Sequence, residues 1–287
     1  MIDAGTSVRD ALDGAITAIA AADCWPISDD RSPRLDAEVL FAHVLGIPRV
    51  RLLTDDRLMV SGPDVRAVQN AVRRRAVERE PVAYITGARG FRRLELTVDP
   101  RVLIPRPETE LLVELALARL PRGARVLDVG TGSGAIALAL ADERPDLHVS
   151  ASDLSEDALD LARANGQRLG LRVAWLQADL LAGVPDDFDA ILSNPPYVAD
   201  SERSSLAPEI LRHEPPDALF AGPDGLDAIR ALLAQVAERE RVRLVALEHG
   251  AGQAGAVAEL VRGAGFDSVC SERDLAGIER VVVGTRL

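Results

Sequence analysis

A chain of 287 residues, 47% hydrophobic and 27% charged, can fold as one large domain or as a small and a larger one, burying about 75% of its unfolded surface. It carries no apolar run near the roughly 20 residues of a spanning helix, no basic-then-apolar leader at Met1, only Cys24 and Cys270 as cysteines, and scattered histidines at His43, His148, His213 and His249. These features point to a reducing cytoplasm, with no membrane, no disulfide framework and no metal, while a formal charge of -12 opposes the phosphate neutralisation that nucleic-acid binding relies on.

Residues 1–82 read as a small all-helical domain. A periodic segment runs from Ser7 to Ala22, and Ser32-Pro33 supply a cap and first-turn proline before LDAEVLFAHVL, which Gly46 closes. A further helix is expected from about Asp64 to Glu80, stopped by Pro81. Over residues 83–104 the pieces YIT and FRRLELTV around Gly87 and Gly90 suggest an extended hairpin linker.

From 105 to 287 the rhythm is strand, helix, strand. Strand candidates are RVLDV at 125, HVSASD at 148, RVAWLQ at 172, FDAILS at 188 and RLVALE at 243, with a closing pair near 268 and 280. ETELLVELALARL, SEDALDLARANGQRLG and LDAIRALLAQVAERE are helical in pattern, so an α/β domain is expected: a mostly parallel, Rossmann-like sheet covered by helices on both faces. The last two strands are too close in sequence for a helical crossover, which makes them an antiparallel edge hairpin.

The first of these strands runs into DVGTGSGAIALALA. Gly130, Gly132 and Gly134 alternate there, with Thr131 and Ser133 between them and a helix directly behind. Glycine lets backbone turn sharply and approach a ligand that a Cβ would hold away, although a tight turn alone also explains the trio. The G-x-G-x-G spacing differs from the dinucleotide G-x-G-x-x-G. Asp153 ends the next strand 23 residues after Gly130, where an acid accepts hydrogen bonds from ribose hydroxyls; helix capping is the alternative, but Ser155 can do that. Asp179, after the third strand, suits an adenine amino group or is an ordinary loop carboxylate. Asp128, inside the first strand, requires hydrogen-bond donors if it is buried.

The fourth strand ends in SNPPY. Asn194 is pushed toward extended geometry by Pro195, and Pro195 is restricted by its own ring and by Pro196, so the tetrapeptide is stiff before any substrate arrives. Prolines donate nothing, which leaves the Asn194 amide oxygen and the Pro195 carbonyl as two acceptors suited to one NH2 group. Held that way, a poorly nucleophilic amide nitrogen can be aimed at an electrophilic carbon, with Tyr197 stacking on the planar group. A proline-rich turn with a core tyrosine is the alternative.

With these motifs in hand, the chain resembles the N5-glutamine methyltransferases of class 1 peptide chain release factors, the PrmC/HemK family. The resemblance spans almost the whole length: GFRRLELTVDPRVLIPRPETE, LDVGTGSGAIALALA, ASDLSEDALDLARAN, SNPPY, HEPPDALFAGPDGL and DLAGIERVVVG. It implies S-adenosylmethionine as donor, S-adenosylhomocysteine as product, and as acceptor the glutamine of a Gly-Gly-Gln loop. It implies cofactor contacts at Gly130, Thr131, Gly132, Ser133, Gly134, Asp153, Asp179, Leu180 and Asn194, and substrate contacts at Asn194, Pro195, Pro196 and Tyr197. Leu180 stands where relatives can carry an aromatic, so only backbone or apolar contact with adenine is expected of it. Arg106, Pro107, Glu108 and Glu110 resemble the segment bordering the site, although acids in a first helical turn also complement the helix dipole.

Residues 66–93 hold eight arginines against Glu78 and Glu80, a patch that could contact or steer the protein substrate or simply be a solvated face. Two other activities fit part of the pattern. An adenine-N6 methyltransferase would hold a flipped base in the same acceptor pair, but the net charge argues against it. A non-catalytic nucleotide-binding module is disfavoured by the intact SNPPY.

Overall fold

The computed structural model describes residues 6–22, 32–55 and 57–286; Cys24 lies outside them. The chain forms two compact units, Met1–Ala88 with Leu206–His213, and Arg89–Ser205 with Glu214–Leu287. The helical unit thus extends past residue 82 and recruits a short piece from far along the chain.

In the helical unit, α1 (Val8–Ala21) is capped by Ser7, whose hydroxyl accepts from the Asp10 N–H, and α2 (Pro33–Leu45) by Ser32, with Gly46 in the left-handed region at φ 63° ending it. α3 (Arg49–Thr54) follows, then α4 (Gly62–Ala76) and α5 (Val82–Thr86). Their apolar faces, including Leu12, Ile19, Leu40, Phe41, Val68 and Ile85, form one core. The helix expected over 64–80 is α4, displaced toward the N-terminus. It stops at Ala76 because Arg79 turns left-handed at φ 61° and Arg74 folds back onto Glu80, so Pro81 acts only after the helix has ended. The YIT piece is helical rather than extended. Val82, Ala83, Tyr84 and Ile85 are all buried within one turn, so the β-branched residues report burial and not strand.

The larger unit begins with a two-stranded sheet, β1 (Ala88–Phe91) and β2 (Leu94–Thr97), followed by α6 (Thr109–Arg119). Next come β3 (Arg125–Val129), α7 (Ala135–Glu143), β4 (His148–Asp153), α8 (Glu156–Leu169), β5 (Ala174–Gln177) and β6 (Ala190–Ser193). After α9 (Pro208–His213), which belongs to the helical unit, the chain continues with α10 (Asp227–Ala237), β7 (Leu244–Glu248), α11 (Ala254–Gly263), β8 (Ser268–Arg273) and β9 (Glu279–Thr285).

Seven strands form one sheet in the order β5-β4-β3-β6-β7-β9-β8, parallel except for β9, which runs antiparallel to both β7 and β8. Alternate residues face opposite layers. Val126, Ala190 and Leu192 pack with α6 and α7, while Leu127, Val129 and Ile191 pack with α10 and α11. The chain moves outward from β3 through β4 to β5 and then returns to place β6 on the other side of β3. The carboxyl ends of β3 and β6 therefore meet at a topological switch point, where open α/β sheets bind ligands.

Candidate active site

A cavity of about 480 Å³ opens at that switch point, within the size range of small-molecule sites. Gly130, Thr131, Gly132 and Ser133 enter from β3; Asp153 from β4; Asp179 and Leu180 from β5; and Asn194, Pro195 and Pro196 from β6. Twelve candidate residues named from sequence are thus divided, with ten on the wall of this cavity and two, Gly134 and Tyr197, outside its lining.

Gly130 and Gly132 adopt φ of 72° and 54°, which carries the backbone through the turn with no side chain facing the space. Gly134 serves packing instead. A Cβ there would lie 2.9 Å from Leu138 Cδ1, 3.2 Å from the Trp175 ring and 3.3 Å from Ala162 Cβ, so its role is close approach of α7 to its neighbours.

The Asp153 carboxylate is fixed by two backbone donors, the N–H of Gly132 at 2.9 Å and that of Ser155 at 2.9 Å. Each oxygen keeps a second lone pair for a ligand hydroxyl. Burial pushes its carboxyl above the usual range, opposed by these backbone donors. Ser155 caps α8, accepting from the Ala158 N–H at 3.2 Å, so capping does not occupy Asp153. Asp128 is fully buried and off the cavity wall. It accepts from the Thr131 hydroxyl at 2.6 Å and the Ala137 N–H at 3.3 Å, and burial still raises it to about 7. Asp179 is exposed, and Leu180 beside it is left-handed at φ 54°, a conformation that costs a branched residue about 1 kcal/mol or more.

At the β6 end, the Ser193 hydroxyl donates to the Val129 carbonyl at 2.7 Å and locks the two strand ends together. Asn194 Nδ2 donates to the Thr109 hydroxyl oxygen at 3.0 Å, and its Oδ1 is buried without a partner among the described residues. Tyr197 turns its hydroxyl toward Glu248, donating to Oε1 at 3.4 Å, and burial, followed by that carboxylate, pushes its pKa up. The expected stacking of Tyr197 on a ligand in the cavity does not follow from this placement. Its carbonyl accepts from Gln253 Nε2 at 2.9 Å, and a Cβ on Gly225 would collide with that carbonyl, so the segment is held from behind.

Arg106, Pro107, Glu108 and Glu110 do not line the cavity, although Pro105 and Thr109 do. Arg106 Nη2 pairs with Glu214 Oε1 at 2.6 Å, while Glu214 Oε2 accepts from the Ile104 N–H at 3.3 Å, which fastens the loop before α6. Glu110 accepts from the Arg92 N–H at 2.9 Å. In the arginine-rich window, Arg73, Arg74, Arg75, Arg79, Arg92 and Arg93 are paired with carboxylates and Arg89 donates to the Pro105 carbonyl. That charge is neutralised largely within the fold. Sequence reading passed over Thr109 and Glu248; the signal for Glu248 is the one that flagged Asp153, an acid closing a buried parallel strand.

The strand order, the glycine turn after β3 and the acid closing β4 define a Rossmann-like methyltransferase fold. Residues 107–222 match the methyltransferase small domain family and residues 20–87 the PrmC N-terminal domain. Along its length the chain is 46% identical over 267 residues to the release factor glutamine methyltransferase of Bordetella pertussis, covering 90% of this chain and 97% of that one. It is 43% identical over 259 residues to the enzyme of the same name from Neisseria gonorrhoeae, covering 88% and 93%. A solved methyltransferase from Pyrococcus furiosus, 20% identical, superposes with a TM-score of 0.51 over 67% of this chain and 88% of that one, a likeness of fold. The chain belongs to the release factor glutamine methyltransferase family.

Proposed function

We propose that this chain methylates the side-chain amide nitrogen (N5) of the glutamine in the Gly-Gly-Gln loop of class 1 peptide chain release factors, with S-adenosylmethionine as donor, in the cytoplasm. The observation that carries the reading is the buried, unpartnered Asn194 Oδ1 on the wall of a cavity shared with Gly130, Gly132 and Asp153. The residues present fit the donor. Gly130 and Gly132 leave room beside the backbone, Asp153 offers lone pairs to ribose hydroxyls, and Leu180 and Ala178 give an apolar floor with Asp179 at its edge. When bound, the donor supplies an electrophilic methyl on a sulfonium.

The chain's own contribution is position and field. Asn194 Oδ1 and the Pro195 carbonyl accept the two hydrogens of the substrate carboxamide, turning its nitrogen toward the cofactor side of the cavity. Alignment of this kind supplies about 7 to 11 kcal/mol of the barrier reduction. As the donor's S–C bond would break and the N–C bond form, the same oxygens would stabilise the positive charge developing on nitrogen, and the surplus N–H proton would pass to solvent water. Tyr197, held by Glu248 and Gln253, supports the loop rather than the reacting group.

The helical unit is assigned to gripping the release factor. The test is transfer of labelled methyl to a purified release factor. One modified glutamine is expected, and labelling that persists after that glutamine is replaced refutes the assignment.

A further inference from the structure

Residues 97–109 follow the cavity from one end to the other. Val102 Cβ lies 4.0 Å from where a Cβ on Gly132 would stand, beside the glycine turn assigned to the donor. At the far end the Thr109 hydroxyl accepts from Asn194 Nδ2 at 3.0 Å, at the end assigned to the acceptor. Arg101, Val102, Leu103 and Pro105 line the space along the way. Residues 98–108 belong to no helix or strand, so no backbone ladder sets their path and side chains must do it.

Two buried side chains supply the fastening, one toward each end. Asn165 of α8 is 0% exposed; it accepts from the Thr97 N–H at 2.8 Å and donates to the carbonyls of Thr97 and Ser133, both at 3.0 Å. It thereby ties the start of the segment to the glycine turn itself. Glu214 is 3% exposed and accepts from the Ile104 N–H at 3.3 Å and from Arg106 Nη2 at 2.6 Å, so it grips the residues on both sides of Pro105. Pro215, the next residue, also lines the cavity, and one carboxylate therefore fixes the spacing of two prolines that border it. A buried charge-assisted bond holds such a spacing more firmly than a neutral one. Neither Asn165 nor Glu214 is itself on the lining, and their hydrogen bonds share no partner.

We infer that Asn165 and Glu214 are positioning residues with divided duties: Asn165 fixes the glycine turn for the donor, and Glu214 fixes the proline-bordered end where the substrate carboxamide meets Asn194. The inference rests on the donor and acceptor ends proposed above, but the separateness of the two anchors concerns this chain alone.

Asn165→Leu is close in shape and makes no hydrogen bonds. It lowers S-adenosylhomocysteine affinity in calorimetric titration by about tenfold, the scale of one lost hydrogen bond, while kcat at saturating donor stays within about threefold. Glu214→Gln does the reverse: kcat with a release factor falls roughly 10- to 100-fold, the scale of a misplaced reacting group, and S-adenosylhomocysteine affinity stays within about threefold. Arg106→Lys keeps the charge but loses the planar fork, so it shows the Glu214→Gln pattern at smaller size, a loss of about threefold or more in kcat. It carries the test if Glu214→Gln does not fold, as Asn165→Ala does for Asn165→Leu. A general loosening of the fold would move both readouts together in each variant; that result, or parental values for either residue's own readout, overturns the proposal.

A second measurement needs no substrate. Followed by amide hydrogen exchange in the full chain, the Ile104 N–H exchanges faster in Glu214→Gln while the Thr97 N–H does not, and in Asn165→Leu the order is reversed. Amides that respond together, or not at all, refute the two anchors. If the parent chain methylates no release factor while the amides respond as stated, the substrate assignment fails and the separate anchors stand.

Discussion

Glu248 is buried to 1% exposure at the end of a central strand, and that position has a cost that depends on pH. Burial, with Glu108 adding to it, pushes its carboxyl from the ordinary 4.5 up to about 7, against the opposing pull of Thr109, Arg280 and Tyr197. Because the native state holds the proton more tightly than the unfolded chain, stability from this group is greatest below pH 4.5 and is lost as pH rises through 7. A tenfold change in an ionisation equilibrium is about 1.4 kcal/mol, so ionising Glu248 in the folded chain costs roughly 3 kcal/mol more than ionising it in the unfolded one.

Glu248→Gln has nearly the same shape and does not titrate. Its stability relative to the parent should therefore improve by roughly 2 to 3 kcal/mol between pH 5 and pH 8, as the parent alone bears the cost of ionisation. In thermal unfolding followed by calorimetry at both pH values, the variant's Tm rises against the parent's by roughly 5 to 10 °C over that interval. Asp128, also raised to about 7, is common to both proteins and cancels in the difference. A Tm difference that stays constant from pH 5 to pH 8 would show that Glu248 is solvated or paired well enough to ionise normally, and the burial argument would be wrong.

Asn194→Ala removes one of two acceptors and should cut methyl transfer by on the order of 10²-fold or more while S-adenosylhomocysteine affinity, measured by calorimetric titration, stays within a few-fold; a normal rate would rule out the acceptor pair. Gly134→Ala places a methyl against Leu138, Trp175 and Ala162 in a left-handed conformation, and should cost about 2 to 4 kcal/mol in urea unfolding, with a loss below 1 kcal/mol contradicting the packing role. In the helical unit, Arg75 pairs with Asp36 at 2.7 Å and Glu209 at 2.9 Å, all three almost fully buried. Arg75→Ala leaves carboxylates buried without that partner, an expected loss of about 3 to 5 kcal/mol that appears as faster amide exchange in α2 and α4; unchanged exchange would refute it.

The parallel sheet was legible because its strands carry unambiguous local signals. RVLDV ends in a glycine turn, HVSASD ends in an acid before a capped helix, and the proline pair stiffens the segment after Ser193. Each site residue at a strand end inherits its place from the topology, which is why Gly130, Asp153 and Asn194 converge although 64 residues separate the first from the last. The short helices were not legible. VAYIT is rich in strand-favouring residues, and only its burial on all sides in the helical unit makes a turn of helix the better solution.

The same distinction explains why Gly134 and Tyr197 lie outside the cavity lining while Thr109 lies on it. Sequence spacing assigns Gly134 to the loop but cannot see Ala162 and Trp175 pressed against it from α8 and β5 respectively. It assigns Tyr197 to the substrate but cannot see that β7, 51 residues later, ends in a buried carboxylate that draws the phenol away. Thr109 and Glu248 lie 139 residues apart in sequence, and neither has chemistry of note alone. Thr109 matters because α6 sets its first turn next to the residue that follows β6, where its hydroxyl oxygen accepts from Asn194 Nδ2 at 3.0 Å. The motif singles out Asn194; the packing of α6 beside β6 decides what its amide nitrogen meets.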